Sequence, residues 1–381
     1  MGLVIIENIR FRSVLSFDEN VTEEFISEIW GGAIDRWRGN ITPDIEARIE
    51  MEIATFEQVD GYMEYLYFVW RVFYDSGYYI MPYRTLAHAS AVCYALGITE
   101  VDPICLGLDF NRFMQTDKPR FVEIGLATNA TKSQIQTEIM NLDFDEDRER
   151  LGERELNEKA PALTIYPSQR TAQLFGYLNE VVDFLYIPMD DPATFRTLLR
   201  SEDLTGVYGC NPNTVLQEYL QQAKPQFEDL IPLCTESIMN FPTNLNFPTN
   251  RIYTSRKYGI AWEPRFAPEV EAILSETCGE ILYNEQVYAL AELVGYTPSE
   301  AEGLRKVLTA RKKQEYNNHR RRFSKHKGLF RKLINEGCWS FPKAVMAEYA
   351  RLVYLTAYLK THFPVEYNRA ALCVAAGENY C

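Results

Sequence analysis

The chain has 381 residues, 46% of them hydrophobic and 13% aromatic, which allows two or three domains with real cores and excludes an intrinsically disordered protein. No apolar run reaches the length that spans a bilayer, so no membrane partner is expected. A net charge of −14 weighs against a generic nucleic-acid binder. The opening MGLVIIENIRFRS lacks a charged n-region and a cleavage site, so no signal peptide is expected, and Ile6 stands where a myristoylation signal has Ser or Thr. The eight cysteines contain no C-x-x-C pair, which argues against a zinc ribbon or disulfide framework and predicts reduced, mostly buried thiols in a cytoplasm-like compartment. The four histidines form no metal-ligand pair, and His319 and His326, in a basic run, are predicted to be exposed.

In chain order, residues 22–75 read as helices. Phe25, Ile29 and Ala33 recur every fourth residue, and the aromatic half of residues 48–77 keeps the 3.6-residue period of a buried helix face. Thr42-Pro43-Asp44 is a helix start with Pro at the first helical position. Met81-Pro82-Tyr83 reads as a break, Leu86–Leu96 as one helix, and Arg120–Ala127 as a short strand. Residues 137–159 are dense in acids with interleaved Arg148, Arg150 and Arg154, which predicts a solvated helix; the spacing of a calcium loop is lacking. Leu163–Tyr166 reads as a strand, and Asp190-Asp191-Pro192 as the start of a helix ending near Arg200. Two FPTN copies, at 241–244 and 247–250, form an irregular loop. From Pro268 to Lys360 the pattern is mostly helical, with a turn at Gly295–Pro298, and the final GENYC reads as a tail.

Charge is unevenly placed. Between Arg305 and Lys332 there are twelve Lys or Arg against one acid, Glu315, so this segment carries +11 while the rest carries −25. Such a segment can face phosphate, or it can dock on an acidic partner.

From about Glu23 to Ala371 the segments lie in the order of a known family. RIEMEIATFEQVDGYMEYLYFVWRVFYDSG, ALGITEVDP, FEDLIPLC, LSETCGEILYNEQVYALAELVGYTPSEAEGLRK and VYLTAYLKTHFPVEYNRAAL are all similar to the catalytic core of the bacterial replicative polymerases, the DNA polymerase III alpha subunit or family C. The resemblance implies an α+β, predominantly helical fold. Its parts would be a polymerase-beta-like nucleotidyltransferase palm with a small mixed sheet over residues 1–186, a helical fingers domain over 187–372 and a tail over 373–381. The acidic helix at 137–159 would stand in place of a reduced or absent thumb.

The chain departs from the family where the chemistry sits. The family motif PDFDVDF reads Pro119-Arg120-Phe121-Val122-Glu123-Ile124-Gly125, and the Lys-x-Asp of KFDFLGLRT reads Leu163-x-Ile165. The three metal-binding acids thus become Arg120, Val122 and Ile165, none of which can hold the cations of two-metal phosphoryl transfer. The family's nucleotide loop GRGSAAGS reads YRTLAHAS, in which Arg84 and Ser90 match but the glycines that let backbone amides approach phosphate are gone. No cofactor is expected; Mg²⁺ would be needed only if relocated acids, for instance Glu123 with Asp183, kept a polymerase active. Nothing in the sequence resembles the family's phosphoesterase-type domain, helix-hairpin-helix, oligonucleotide-binding barrel or clamp-binding peptide.

These substitutions predict a catalytically inactive relative that binds DNA or a replisome partner in replication or repair. Candidate phosphate contacts are Arg305, Lys306, Arg311, Lys312, Lys313, Arg320, Arg321, Arg322, Lys325, Lys327 and Lys343. The alternatives are a protein-interaction or structural scaffold that binds no nucleic acid, such as a viral structural protein or a decoy of a host polymerase, and an active DNA polymerase.

Overall fold

A computed structural model describes residues 9–12, 15–16, 19–75, 79–82, 85–114, 119–126, 132–140, 152–153, 162–166, 170–179, 181–184, 187–200, 207–208, 226–239, 253, 256–257, 263–326 and 328–376. The fold is α+β and mostly helical. It divides into two compact units, residues 1–187 with 363–381, and residues 188–362. Helix Pro364–Ala376, expected with the fingers half, clusters with the first unit, where it packs on the helix Arg170–Asn179. It also runs past the expected start of a tail at residue 373.

The first unit begins with strands β1 (Ile9–Arg12) and β2 (Leu15–Ser16). Three helices follow, α1 (Glu19–Arg36), α2 (Pro43–Glu57) and α3 (Tyr62–Asp75). The α2 start is the one the sequence predicts. The Thr42 hydroxyl accepts from the Ile45 amide at 3.4 Å, Pro43 takes the first helical position, and Asp44 and Glu46 face the positive end of the helix dipole. Ile45, Ile49, Ile53 and Phe56 then fall on one buried face.

Strand β3 (Ile80–Pro82) lies where a break was expected; its pairing with another strand, invisible to local pattern, extends it. Leu86–Leu96 is not one helix but a 3-10 turn, Leu86–Ala89, and a short helix α4 (Ala91–Ala95). The break is Ser90, which is extended and caps α4 by accepting from the Cys93 amide at 3.1 Å. At the α1–α4 crossing, a Cβ on Gly32 would come 2.3 Å from the Ala95 carbonyl oxygen, so only glycine fits there.

Strand β4 (Glu123–Leu126) is followed by helix α5 (Lys132–Met140), strand β5 (Gly152–Glu153), strand β6 (Ala162–Tyr166) and helix α6 (Arg170–Asn179). Sheet order is β1-β6-β4-β3, with β1–β6 and β4–β3 antiparallel and β4–β6 parallel. The β1 strand was not expected from the sequence. Within the acidic segment, Gly152–Glu153 pairs with Leu15–Ser16 as strand rather than helix, and residues 141–151 and 154–159 lie outside the described residues.

In the second unit, the helix Pro192–Arg200 starts behind Asp191, whose carboxylate accepts from the Thr194 amide at 2.7 Å and meets His362 Nε2 at 2.8 Å. The long helix Lys343–His362 packs on Pro192–Arg200 and on Phe227–Met239. A second cluster gathers Leu274, Val287, Leu304, Leu308, Phe330 and Leu333 from the helices Pro268–Leu274, Asn284–Leu293, Pro298–Thr309 and Leu329–Asn335. The start of Pro298–Thr309 is a capping box, in which Thr297 and Glu300 satisfy each other's backbone amides. Both FPTN copies lie outside the described residues; Tyr253, after them, is buried. Of the six described cysteines, Cys93 and Cys234 are buried and Cys105 is exposed, so fewer are buried than expected.

Glu52 is the polar centre of the first unit. It is fully buried and takes hydrogen bonds from Arg48 Nε at 2.6 Å, the Ser90 hydroxyl at 2.6 Å, and the Ala91 and Val92 amides at 2.9 and 3.1 Å. Removing one partner of a buried ion pair costs about 3–5 kcal/mol. Glu52→Gln should therefore lower the stability of the first unit by about 3 kcal/mol, read from urea unfolding; an unchanged midpoint would show that the carboxylate is dispensable.

Candidate nucleic-acid interface

Strand β4 is fixed from the helix side by two tyrosines of α3. The Tyr62 hydroxyl donates to the Arg120 carbonyl at 2.6 Å, and the Val122 amide donates to the Tyr65 hydroxyl at 2.7 Å. Phe121 packs against both, with ring centroids 6.2 Å from Tyr62 and 5.6 Å from Tyr65. On the other side the Thr164 amide donates to the Val122 carbonyl at 3.2 Å, and the parallel register sets Ile124 opposite Ile165. The three positions expected to have lost their acids are thus on two neighbouring strands or immediately before one.

Val122 and its neighbour Ile124 are enclosed: both are 0% exposed, which leaves no room for hydrated cations at those side chains. The Arg120 side chain is exposed, and Glu123 is half-buried. Alternation along an extended strand turns Glu123 to the face opposite Val122 and Ile124. Asp183 is an exposed residue beyond α6. Among the described residues no three His, Cys, Asp or Glu gather to hold a metal ion.

Of the nucleotide-loop positions, Arg84 lies outside the described residues. Ser90 is fully buried, and both its hydroxyl and the amides after it are committed to Glu52 and to the α4 cap. Groups engaged in this way cannot also hold a phosphate.

The basic segment divides into two classes. Arg305 makes a two-point contact with Glu302 at 2.8 and 2.9 Å, and Lys306 reaches the same carboxylate at 3.6 Å. Lys312 pairs with Glu315 at 3.3 Å. Arg322 forks onto Glu300 at 2.8 and 3.0 Å and lies 4.3 Å from the Tyr296 ring centroid. Lys332 is enclosed with Glu280, Glu336 and Arg256, and burial pushes the Glu336 carboxyl up to about 7. Lys343, expected as a phosphate contact, has a 15% exposed side chain bound to Glu276 at 2.6 Å, while its amide meets Glu285. These cations are neutralised within the chain.

The second class faces solvent. Lys313, Arg320, Arg321, Lys325 and Arg331 are exposed, with no acid partner among the described residues. Arg311 is exposed too, and its guanidinium sits 4.4 Å from the Trp339 ring centroid. Lys327 lies outside the described residues. His319, expected to be exposed, is half-buried: its Nδ1 is 2.9 Å from the Tyr296 hydroxyl, and burial lowers its pKa. The local pairs Glu302–Arg305 and Lys312–Glu315 were legible as i,i+3 spacings. Glu300–Arg322 and Arg311–Trp339 span 22 and 28 positions, and nothing local announces them.

Because Val122 is wholly enclosed, Val122→Asp would bury a carboxylate without a partner. It should lower stability by about 3 kcal/mol or more and confer no metal binding. A thermal melt with and without Mg²⁺ checks this; a variant as stable as the parent and stabilised further by Mg²⁺ would show an open site.

Residues 23–147 match the family model for the bacterial DNA polymerase III alpha NTPase domain, and residues 169–328 match that for the bacterial DNA polymerase III alpha subunit finger domain. Curated relatives include the DNA polymerase III subunit alpha of Aquifex aeolicus, 29% identical over 211 residues, which are 52% of this chain and 18% of that protein. The subunit alpha of Pasteurella multocida is 32% identical over 209 residues, 50% of this chain and 18% of the relative. That of Thermus aquaticus is 31% identical over 210 residues, 51% and 17% of the two lengths. The matched regions therefore span less than a fifth of these relatives. With both regions present in the same order, this chain belongs to the bacterial DNA polymerase III alpha-like proteins.

Proposed function

We propose that this chain is a non-catalytic member of its family that serves DNA replication or repair by binding DNA, with or without a replisome protein, through the exposed cations of the second unit. The observation that carries the proposal is the contrast between two sites. At the family's acid positions stand an exposed guanidinium and a wholly buried valine, Arg120 and Val122. In the second unit Lys313, Arg320, Arg321 and Lys325 are solvent-facing and have no acid partner among the described residues, on a chain of net charge −14. Residues 120 and 122 do not fit a magnesium pair.

Phosphate contacts position a protein on DNA without reading sequence. A protein-only scaffold is the competing function. It is favoured by the internal neutralisation of Arg305, Lys312, Arg322, Lys332 and Lys343, which leaves a smaller positive surface than the sequence count implies.

Fluorescence anisotropy with primer–template and single-stranded DNA tests this. With about four phosphates neutralised, affinity should fall on the order of a hundredfold between about 50 and 200 mM salt, independently of Mg²⁺. Replacing Arg320 and Arg321 by Ala should reduce the slope of log affinity against log salt by about two. No binding at low salt would leave the protein-only scaffold. Nucleotide incorporation in a primer-extension assay with Mg²⁺ would overturn the non-catalytic assignment.

A further inference from the structure

Helix Pro298–Thr309 ends in a way that glycine would normally serve. The Arg311 amide donates to the Leu308 carbonyl at 2.9 Å, the Lys312 amide to the Val307 carbonyl at 3.1 Å, and Arg311 takes a left-handed φ of 51°. Residues with a Cβ adopt that conformation at a cost, and helices favour Gly just past the end for this reason. An arginine here keeps its side chain despite the strain. The side chain lies over Trp339, 4.4 Å from the ring centroid, with Arg311 exposed and Trp339 half-buried.

This stacked pair stands in a cationic setting. Lys312 and Lys313 follow directly, and both are exposed. Two acids close to the pair in sequence have other partners, Glu315 with Lys312 at 3.3 Å and Glu336 with Lys332 at 2.6 Å. Nucleobases stack on arginine guanidinium planes as they do on aromatic rings, and such steps beside backbone-tracking cations are how single strands are held without sequence preference. Bases within a duplex are already stacked and cannot use the step.

We propose that Arg311 and Trp339 form a stacking step for an unpaired base, so that the ligand of the basic surface is single-stranded rather than duplex DNA. This inference rests on the DNA-binding function proposed above. The base lies on the guanidinium over the indole while a flanking phosphate meets Lys313.

The test compares labelled oligo(dT) with a mixed-sequence duplex of equal length in anisotropy titrations of the full chain at moderate salt. Arg311→Gly removes the guanidinium and suits the left-handed backbone, so it should melt no lower than the parent. The oligonucleotide should bind the parent about tenfold tighter than the duplex does. Arg311→Gly, and separately Trp339→Leu, should remove most of that preference, while Lys313→Ala should weaken both ligands alike. Equal binding of strand and duplex, or equal losses for both ligands in Arg311→Gly, overturns the stacking step and leaves the DNA-binding function standing. Binding of neither ligand removes that function and this inference with it.

Discussion

The first unit is organised around one buried carboxylate. Glu52 projects from α2 into the start of α4, where it satisfies the Ser90 hydroxyl and two backbone amides. Arg48, one turn earlier, pairs with it and extends to the carbonyls of Ala89 and Leu108 at 2.7 and 3.1 Å. A single ion pair thereby fixes the helix α2, the turn before α4, and the loop that leads towards β4. Charge is tolerated there because each polar atom around it has a partner; an unpaired one would be costly in so dry a place. The same arrangement leaves the Ser90 hydroxyl and the Ala91 and Val92 amides committed within the fold.

A similar rigidity holds the sheet. Tyr62 and Tyr65 grip the backbone of Arg120 and Val122, so the entry into β4 is set by main-chain contacts and not by the side chains at 120 and 122. This explains how the acid positions can carry arginine and valine while the strand stays in register with β6. The inward position at 122 is filled by hydrocarbon, which burial favours, and Val122 is wholly enclosed.

The second unit shows how little a count of charges says about a surface. Twelve basic residues lie between Arg305 and Lys332, but several meet carboxylates from neighbouring turns or from distant segments. The cations that remain outward are grouped around the short helix Tyr316–Arg320 and the turn after it, a segment anchored by Tyr316, Phe323 and Phe330 in the core. Anchoring by aromatic rings lets the segment carry dense positive charge on its outer side without a compensating acid for each residue.

The sequence by itself determined the helical periodicities, the Thr42 cap, the turn at Gly295–Pro298, the placement of β6 and the identity of residues 120, 122 and 165. These depend on local spacing or on residue type, and both can be read along the chain, whereas the capping box of Thr297 with Glu300 came from the structure. It misplaced β3 as a break, missed β1, and ran the Leu86–Leu96 helix through Ser90. Strand existence depends on a partner from elsewhere in the chain, and the Ser90 break depends on a carboxylate 38 positions away. The tertiary structure alone decided that helix Pro364–Ala376 joins the first unit. It alone decided which basic side chains face solvent, and that Arg311 rests on Trp339. Pairing, burial and stacking are properties of residues brought together in space, and sequence separation carries no record of them.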